Sequence, residues 1–321
     1  MKFSNINIKK IKGDASFRSF YRKKDHKKTS IIVYSNKEKK KNLLDYDAVN
    51  KLLIKNKILA PKLINENYEK NYIEIQDFGN YTVNDLLRKS STNKFRLYKK
   101  SISLLNKIQK IKQNRSKNFK GKIYKIPLYD NDKLFSEARL FTIWYTKKFV
   151  SKKKLKSLNS SIHKQIKILL SNIKLKDKVF VHRDFHVSNL IQYNYQLAII
   201  DSQDAVIGNK AYDLASLIDD VRYISNKKFK YKVFNYYLKS KKKTFNKKDF
   251  LNDFEILSVL RNLKIIGIFT RLSIRDKKNI YLKLIPYAWK LIEHRINNNK
   301  KFETLKNILD LNFSKKIRNL K

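Results

Sequence analysis

Residues 179–193 read Val179-Phe180-Val181-His182-Arg183-Asp184-Phe185-His186-Val187-Ser188-Asn189-Leu190-Ile191-Gln192-Tyr193, followed by Asn194-Tyr195 and Gln196-Leu197-Ala198-Ile199-Ile200-Asp201. An apolar run, a polar loop and two short strand-like runs around an asparagine-containing turn predict a strand, a loop and a β-hairpin. The midpoint of positions 189 and 201 is 195, inside the turn, so a register centred there sets Asn189 opposite Asp201 at the hairpin's open end. Two oxygen-bearing side chains, one of them anionic, suit Mg²⁺, which keeps several waters and takes further ligands from phosphates. Asp184, five residues before Asn189 on the loop feeding the same end, is placed to accept a proton from a hydroxyl nucleophile.

Upstream of this block the chain is strand-rich. Residues 17–22 and 29–34 are β-branched or aromatic runs joined by a charged turn, which reads as a hairpin. Leu44, Ala48, Val49 and Leu52 recur at helical spacing over residues 43–55, Pro61 ends that pattern, and strand-like runs follow at 62–65 and 72–76. Beyond Gly79 the texture changes to amphipathic helices, expected over 94–112, 135–149, 160–172, 249–268 and 280–295. Residue 79 therefore separates a strand-rich lobe, 1–79, from a helix-rich one, 80–321. The chain has only 5 glycines, so each is expected where a positive φ or a close approach requires it; for Gly267, inside a helical pattern, a packing contact is expected.

Composition bounds the function. With 321 residues and 42% hydrophobic content the chain is long enough for one large or two modest globular domains. It has no cysteine, which excludes disulfides and thiolate metal sites. No apolar run has the length of a signal peptide or a membrane span, so a soluble, cytoplasmic protein is expected. Lys+Arg 75 against Asp+Glu 27 gives a net charge of +48. Because lysines recur along the whole chain, beside abundant Asn, Ile and Tyr and scarce Gly and Pro, we read this as the residue usage of an AT-rich genome rather than a nucleic-acid footprint. The rival from another class is an inactive scaffold that binds nucleic acid with steep salt dependence.

The spacing His182-Arg183-Asp184-x-x-x-x-Asn189, with a later aspartate closing a hairpin, is that of the kinase catalytic loop. With Asp201-Ser202-Gln203-Asp204-Ala205, Gly208 and Tyr212-Asp213-Leu214-Ala215-Ser216-Leu217, it resembles the aminoglycoside-phosphotransferase superfamily of small-molecule kinases. A narrower branch, the bacterial cell-wall sugar kinases acting on the anomeric hydroxyl of N-acetylmuramate and N-acetylglucosamine, is similar in further blocks. These are Gly13-Asp14-Ala15-Ser16-Phe17-Arg18, Gln76-Asp77-Phe78-Gly79, Glu137 with Leu140-Phe141 and Trp144-Tyr145, and Arg261-Asn262-Leu263-Lys264 with Gly267, Phe269, Arg271 and Arg275-Asp276.

The resemblance implies an α+β, two-lobed protein-kinase-like fold, with residues 1–79 binding nucleotide and 80–321 carrying catalysis and substrate. It implies ATP and Mg²⁺ as cofactors, Asp184 as the catalytic base, and Asn189 and Asp201 as metal ligands. Backbone groups around Gln76, Asp77 and Phe78 would meet adenine, and the loop Gly13, Asp14, Ala15, Ser16, Phe17 would cover the phosphates, with Arg18 and Arg22 as charge partners. An amino sugar destined for peptidoglycan recycling is the expected substrate of a monomer with no membrane or specific nucleic-acid partner; choline, homoserine and aminoglycosides are the alternatives within the superfamily.

One departure from the pattern is chemical. The strand comparable to the kinase V-A-I-K reads Ser30-Ile31-Ile32-Val33-Tyr34, without the lysine that grips the α- and β-phosphates. Its replacement is open among Arg18, Lys27, Lys28 and Lys37. Ser202 stands where kinases often place an aromatic residue, and Asp204 is open among metal, sugar and backbone. His182 reads as a packed core histidine, Arg183 and Asp213 as supports of the loop, and His186 equally as structural or substrate-facing. Trp144 and Tyr145 read as core before sugar platform. Glu137, Arg271 and Arg275 are candidates for the sugar's hydroxyl, N-acetyl or carboxylate groups.

Overall fold

In the first third of the chain the strands at 28–34 and 72–76 carry the buried apolar residues, while those at 7–11, 19–25 and 63–67 are only partly covered. A computed structural model describes residues 7–11, 18–26, 28–241 and 246–320. β1 (Asn7–Ile11), β2 (Ser19–Asp25), β3 (Lys28–Tyr34), β4 (Leu63–Asn67) and β5 (Tyr72–Gln76) form an antiparallel sheet in the order β1-β2-β3-β5-β4. Val33, Ile73 and Ile75 pack against Leu43 and Tyr46 of helix α1 (Lys41–Lys55), with Phe20, Ile31 and Phe119 at the margin. Two short helical stretches, α2 (Val83–Leu87, with a Thr82–Asp85 capping box) and α3 (Lys94–Ile108), follow, then a small hairpin of β6 (Arg115–Lys117) and β7 (Ile123–Lys125). Phe119 at its tip meets Tyr68 edge-on at 5.9 Å, and Lys120 pairs with Glu66.

The chain divides into two compact units, Met1–Pro127 with Val179–Ile207, and Leu128–Lys178 with Gly208–Lys321. All five sheet strands precede residue 79, where strand gives way to helix; compactness carries the first unit on to residue 127 and brings in β8 (Lys178–Val181), β9 (Leu190–Tyr193) and β10 (Gln196–Ile199). β11 (Val206–Asn209) straddles its end.

The second unit is helical. α4 (Asn131–Ala138), a π-helical turn (Phe141–Thr146) and α5 (Lys147–Phe149) replace the single helix expected over 135–149. The π turn begins beside Leu140, against whose backbone Gly267 packs so closely that a Cβ there would lie 2.2 Å from the Leu140 carbonyl carbon. Phe141 and Tyr145 thereby enter an aromatic core with Trp289 and Phe313. Tyr145 is buried and Trp144 half-buried.

α6 (Lys152–Ser171) starts eight residues earlier than expected, because the lysines at 152, 153, 154 and 156 mask the apolar period that Leu155 and Leu158 begin. α7 (Tyr212–Ile218), α8 (Lys227–Ser240), α9 (Lys247–Asp276), α10 (Ile285–Ile296), α11 (Glu303–Asn312) and α12 (Lys315–Arg318) complete the unit. α9 runs through Gly267 to Asp276, since that glycine is a packing position and not a terminus. The first residues expected in the last helix, 280–284, are 3₁₀, and α10 proper begins with a proline in its first turn, where the missing N–H is harmless. α3 likewise ends at Ile108 rather than 112. No helix among the described residues is long and apolar enough to cross a membrane.

Candidate active site

The expected hairpin forms, with a register one place from the expected one. Asn194 and Tyr195 both take left-handed φ, 42° and 64°, making a two-residue turn that pairs Tyr193 with Gln196 and Leu190 with Ile199. Asn189 consequently faces Ile200, whose N–H donates to the Asn189 carbonyl at 3.1 Å, and not Asp201. On a regular strand that slip would turn Asp201 to the other face. The strand ends at Ile199, however, and Asp201 has φ 65°; Asn189 and Asp201 line the same cavity.

The hairpin is fixed from outside its own ladder. The Ile199 N–H donates to Leu59 O at 2.8 Å and the Gln192 N–H to Tyr81 O at 2.9 Å. Beneath it Phe78, Ile191 and Ala198 form a buried cluster, with Tyr193 edge-on to Phe78 at 5.0 Å.

The loop before it is held through one carbonyl. Asp184 O accepts the His186 N–H at 2.9 Å and Asn189 Nδ2 at 3.0 Å. Since Nδ2 is committed there, Oδ1 is the atom with which Asn189 can ligate. His186 is buried, its Nε2 lying 3.4 Å from Asn189 Nδ2. Burial holds His182 below the usual histidine range, against the pull of Asp184 and Asp201, and its ring packs edge-on to Phe185. Arg183 has φ 72° and donates to Asp204 O at 3.1 Å. Two left-handed non-glycine residues within one loop system mark a backbone held by its surroundings.

The segment after Asp201 is tied to α1. Ser202, fully buried, donates to Asn50 Oδ1 at 2.6 Å, so a hydrogen bond does the packing that an aromatic residue would otherwise do. Gln203 donates to Asp204 Oδ2 at 2.7 Å, and the Asp204 carboxylate lies 3.7 Å from Arg183. Arg18 is buried, donating to Gln203 Oε1 at 2.7 Å and pairing with Asp201. Gly13, Asp14, Ala15, Ser16, Phe17 and Lys27 lie outside the described residues.

A cavity of about 270 Å³ opens between the concave face of the sheet and this hairpin, with Phe20, Ile31, Ile75, Phe78, Ile191 and Ile200 on its apolar walls. It is base-sized, near the lower edge of ligand pockets. Gln76, Asp77, Ser188, Asn189 and Asp201 supply its polar rim. The Asp77 side chain is spent on structure: it accepts the Gly79 N–H at 2.8 Å and Arg22 Nε at 2.6 Å, while Arg22 also reaches Asn80 and Gly79 O. The oxygen donor set of Asn189 and Asp201 beside an apolar slot fits a magnesium-bound nucleotide. Among the described residues no group of three or more acidic, His or Cys side chains gathers into a metal cage.

The remaining candidates lie in the second unit. Glu137 accepts from Tyr129 and pairs with Lys264 at 2.7 Å. Arg271 and Arg275 stand one turn apart on α9, and the exposed Arg275 fork is taken by Asp276 at 2.7 and 2.9 Å. Asp213 is fully buried in the first turn of α7. Gln203, Tyr46 and Asn50 were not singled out in the sequence. Two polar-headed residues at i and i+4 inside the apolar stripe of a helix were the available signal.

This arrangement is that of a phosphotransferase, and the comparisons with known proteins agree. Among solved structures the chain is similar to the ADP-bound aminoglycoside phosphotransferase APH(2'')-Ib, with TM-score 0.61 and 15% identity over 90% of this chain and 93% of that one. It is also similar to choline kinase LicA from Streptococcus pneumoniae, with TM-score 0.63 and 14% identity over 91% and 95%. These establish the protein-kinase-like fold. Residues 7–241 match the model of the phosphotransferase enzyme family, and the chain belongs to that family: it is a kinase with a hydroxyl acceptor. Among curated relatives, the N-acetylmuramate/N-acetylglucosamine kinase of Neisseria meningitidis is 27% identical over 85% of this chain and 80% of its own length. That of Pseudomonas aeruginosa is 27% identical over 87% and 81%.

Proposed function

We propose that this chain transfers the γ-phosphate of ATP to the anomeric hydroxyl of N-acetylmuramate or N-acetylglucosamine, yielding a sugar 1-phosphate for cell-wall recycling. The observation that carries this reading is that Asn189, tied to the Asp184 carbonyl, and Asp201 line one apolar slot, in a chain whose curated relatives bear that kinase name. The Asp184 carboxylate takes the proton of the sugar hydroxyl as its oxygen attacks the γ-phosphorus, and the bond to the β,γ-bridging oxygen breaks to release ADP. Asn189 Oδ1 and the Asp201 carboxylate would hold Mg²⁺, which when bound would neutralise charge on the phosphates. The base enters the slot beside Gln76, Asp77 and Phe78.

His182 and Arg183 hold the catalytic loop and Asp213 supports it; His186, Asp204, Glu137, Arg271 and Arg275 are assigned to the sugar. In this reading residues 1–79 supply the sheet side of the nucleotide slot, and residues 80–321 supply its metal ligands, the catalytic base and substrate selection, in a cytoplasmic monomer. The test is an ATP-consumption panel of both sugars against choline, homoserine and an aminoglycoside, with phosphorus NMR of the product. A sugar 1-phosphate is expected. Turnover with another acceptor and none with either sugar would remove the sugar assignment and leave the kinase.

A further inference from the structure

Strand β3 carries a lysine only at its first position, Lys28. Lys28 pairs with Asp25 at one end of the β2–β3 ladder while Ser19 pairs with Tyr34 at the other, so it stands ~20 Å from the end at which Arg18 enters, at 3.3 Å per residue. Lys37 is exposed on a 3₁₀ turn. Arg22 is engaged by Asp77, Asn80 and Gly79 O. Arg18 differs from all three: it is buried at 6% exposure, pairs with Asp201, and donates to Gln203. Its guanidinium carbon lies 5.5 Å from the Phe20 ring centroid and 5.4 Å from that of Tyr46.

We propose that Arg18 is the cation that grips the nucleotide's phosphates in this chain, in place of the lysine missing from β3. The inference deepens the nucleotide reading above and rests on Asp201 as a metal ligand. One carboxylate then serves two cations: Arg18 takes Oδ1, a divalent ion takes what the rest of the group offers, and phosphate oxygens on that ion adjoin the guanidinium. A planar fork suits phosphate bidentately, and its face suits aromatic rings, which a lysine ammonium exploits less well. In the familiar arrangement a carboxylate on the neighbouring helix aims the lysine. Here α1 aims the arginine with a ring: Tyr46 flanks Arg18 while Asn50, one turn on, holds Ser202. The acidic residue between them, Asp47, is paired with Lys51.

The test measures dissociation constants of ADP and adenosine by calorimetry in magnesium buffer, for the unmodified protein, Arg18→Met and Arg18→Lys, with thermal midpoints as the folding control. Arg18→Met should weaken ADP about 10- to 100-fold, the loss of charge-assisted bonds to phosphate, and leave adenosine unchanged; Arg18→Lys should fall between. Equal ADP affinity in all three proteins, or parallel loss of ADP and adenosine, would overturn the proposal, the latter making Arg18 a structural brace. Should Arg18→Met fail to fold, guanidinium NMR of ¹⁵N-arginine-labelled unmodified protein decides: the Arg18 signal must move with ADP and not with adenosine, and a signal indifferent to ADP refutes the assignment. No ADP binding by the unmodified protein would sink the nucleotide reading and this proposal together.

Discussion

Two donors fix the Asp184 backbone carbonyl, an anchorage that an isosteric change of the side chain keeps. Asp184→Asn should therefore lower turnover by about 10²- to 10⁴-fold with an unchanged circular dichroism spectrum and thermal midpoint; an unchanged rate would remove the base. Asp219 is the contrasting case. It is fully buried among Lys230 at 3.1 Å, Arg295 at 2.8 Å and Ser258 at 2.6 Å. Burial raises its pKa, but the two cations and the hydroxyl win, holding it well below the usual carboxylate range. Asp219→Asn would leave two buried cations without their counter-ion, and a loss of about 3–5 kcal/mol is expected in denaturant titrations.

The proposed base and metal ligands can be named from sequence because they are local: Asp184, Asn189 and Asp201 lie within one short stretch whose spacing is itself the signal. Arg18 was legible only as one of several cations, since its pairing with Asp201 spans 183 positions and no local pattern encodes it. The Asn189–Asp201 register was misjudged by one place because a turn centred on residue 195 and one centred between Asn194 and Tyr195 look alike until φ is known.

Among elements, the long helix α9 and its neighbour at Leu140 meet by backbone. Gly267→Ala should gain about 1 kcal/mol in intrinsic helix preference, but its methyl would sit 2.2–2.5 Å from the backbone of Leu140 and Phe141. Neither backbone can yield cheaply, and overpacking costs about 1–3 kcal/mol or more. The clash wins, and a lowered thermal midpoint is expected; a raised one would show that the π turn relaxes. Periodicity made the long helices visible and hid others. In β1 the two isoleucines stand three places apart among lysines and give no alternation, and α8 opens on charged residues, so neither element shows in the pattern, for the same reason that α6 is predicted short.

For the molecule as a whole, three histidines share one direction. Burial lowers His163, His182 and His294, the last to about 4, helped at His163 and His294 by neighbouring arginines and lysines. Between the folded values and the ordinary 6.5, the unfolded chain holds more protons, so stability falls as pH drops through that window. The thermal midpoint should decline between about pH 7.5 and pH 5, and His294→Gln should flatten part of that decline. A midpoint constant over the range would contradict the burial argument.

Nine described residues other than glycine hold left-handed φ, among them Lys57, Lys277 and the solvent-facing Tyr195, in a chain with only 5 glycines. Each such torsion at a residue with a Cβ costs about 1–2 kcal/mol. Tyr195→Gly should therefore raise the melting temperature, and a lowered one would show that the tyrosine side chain offsets its torsion.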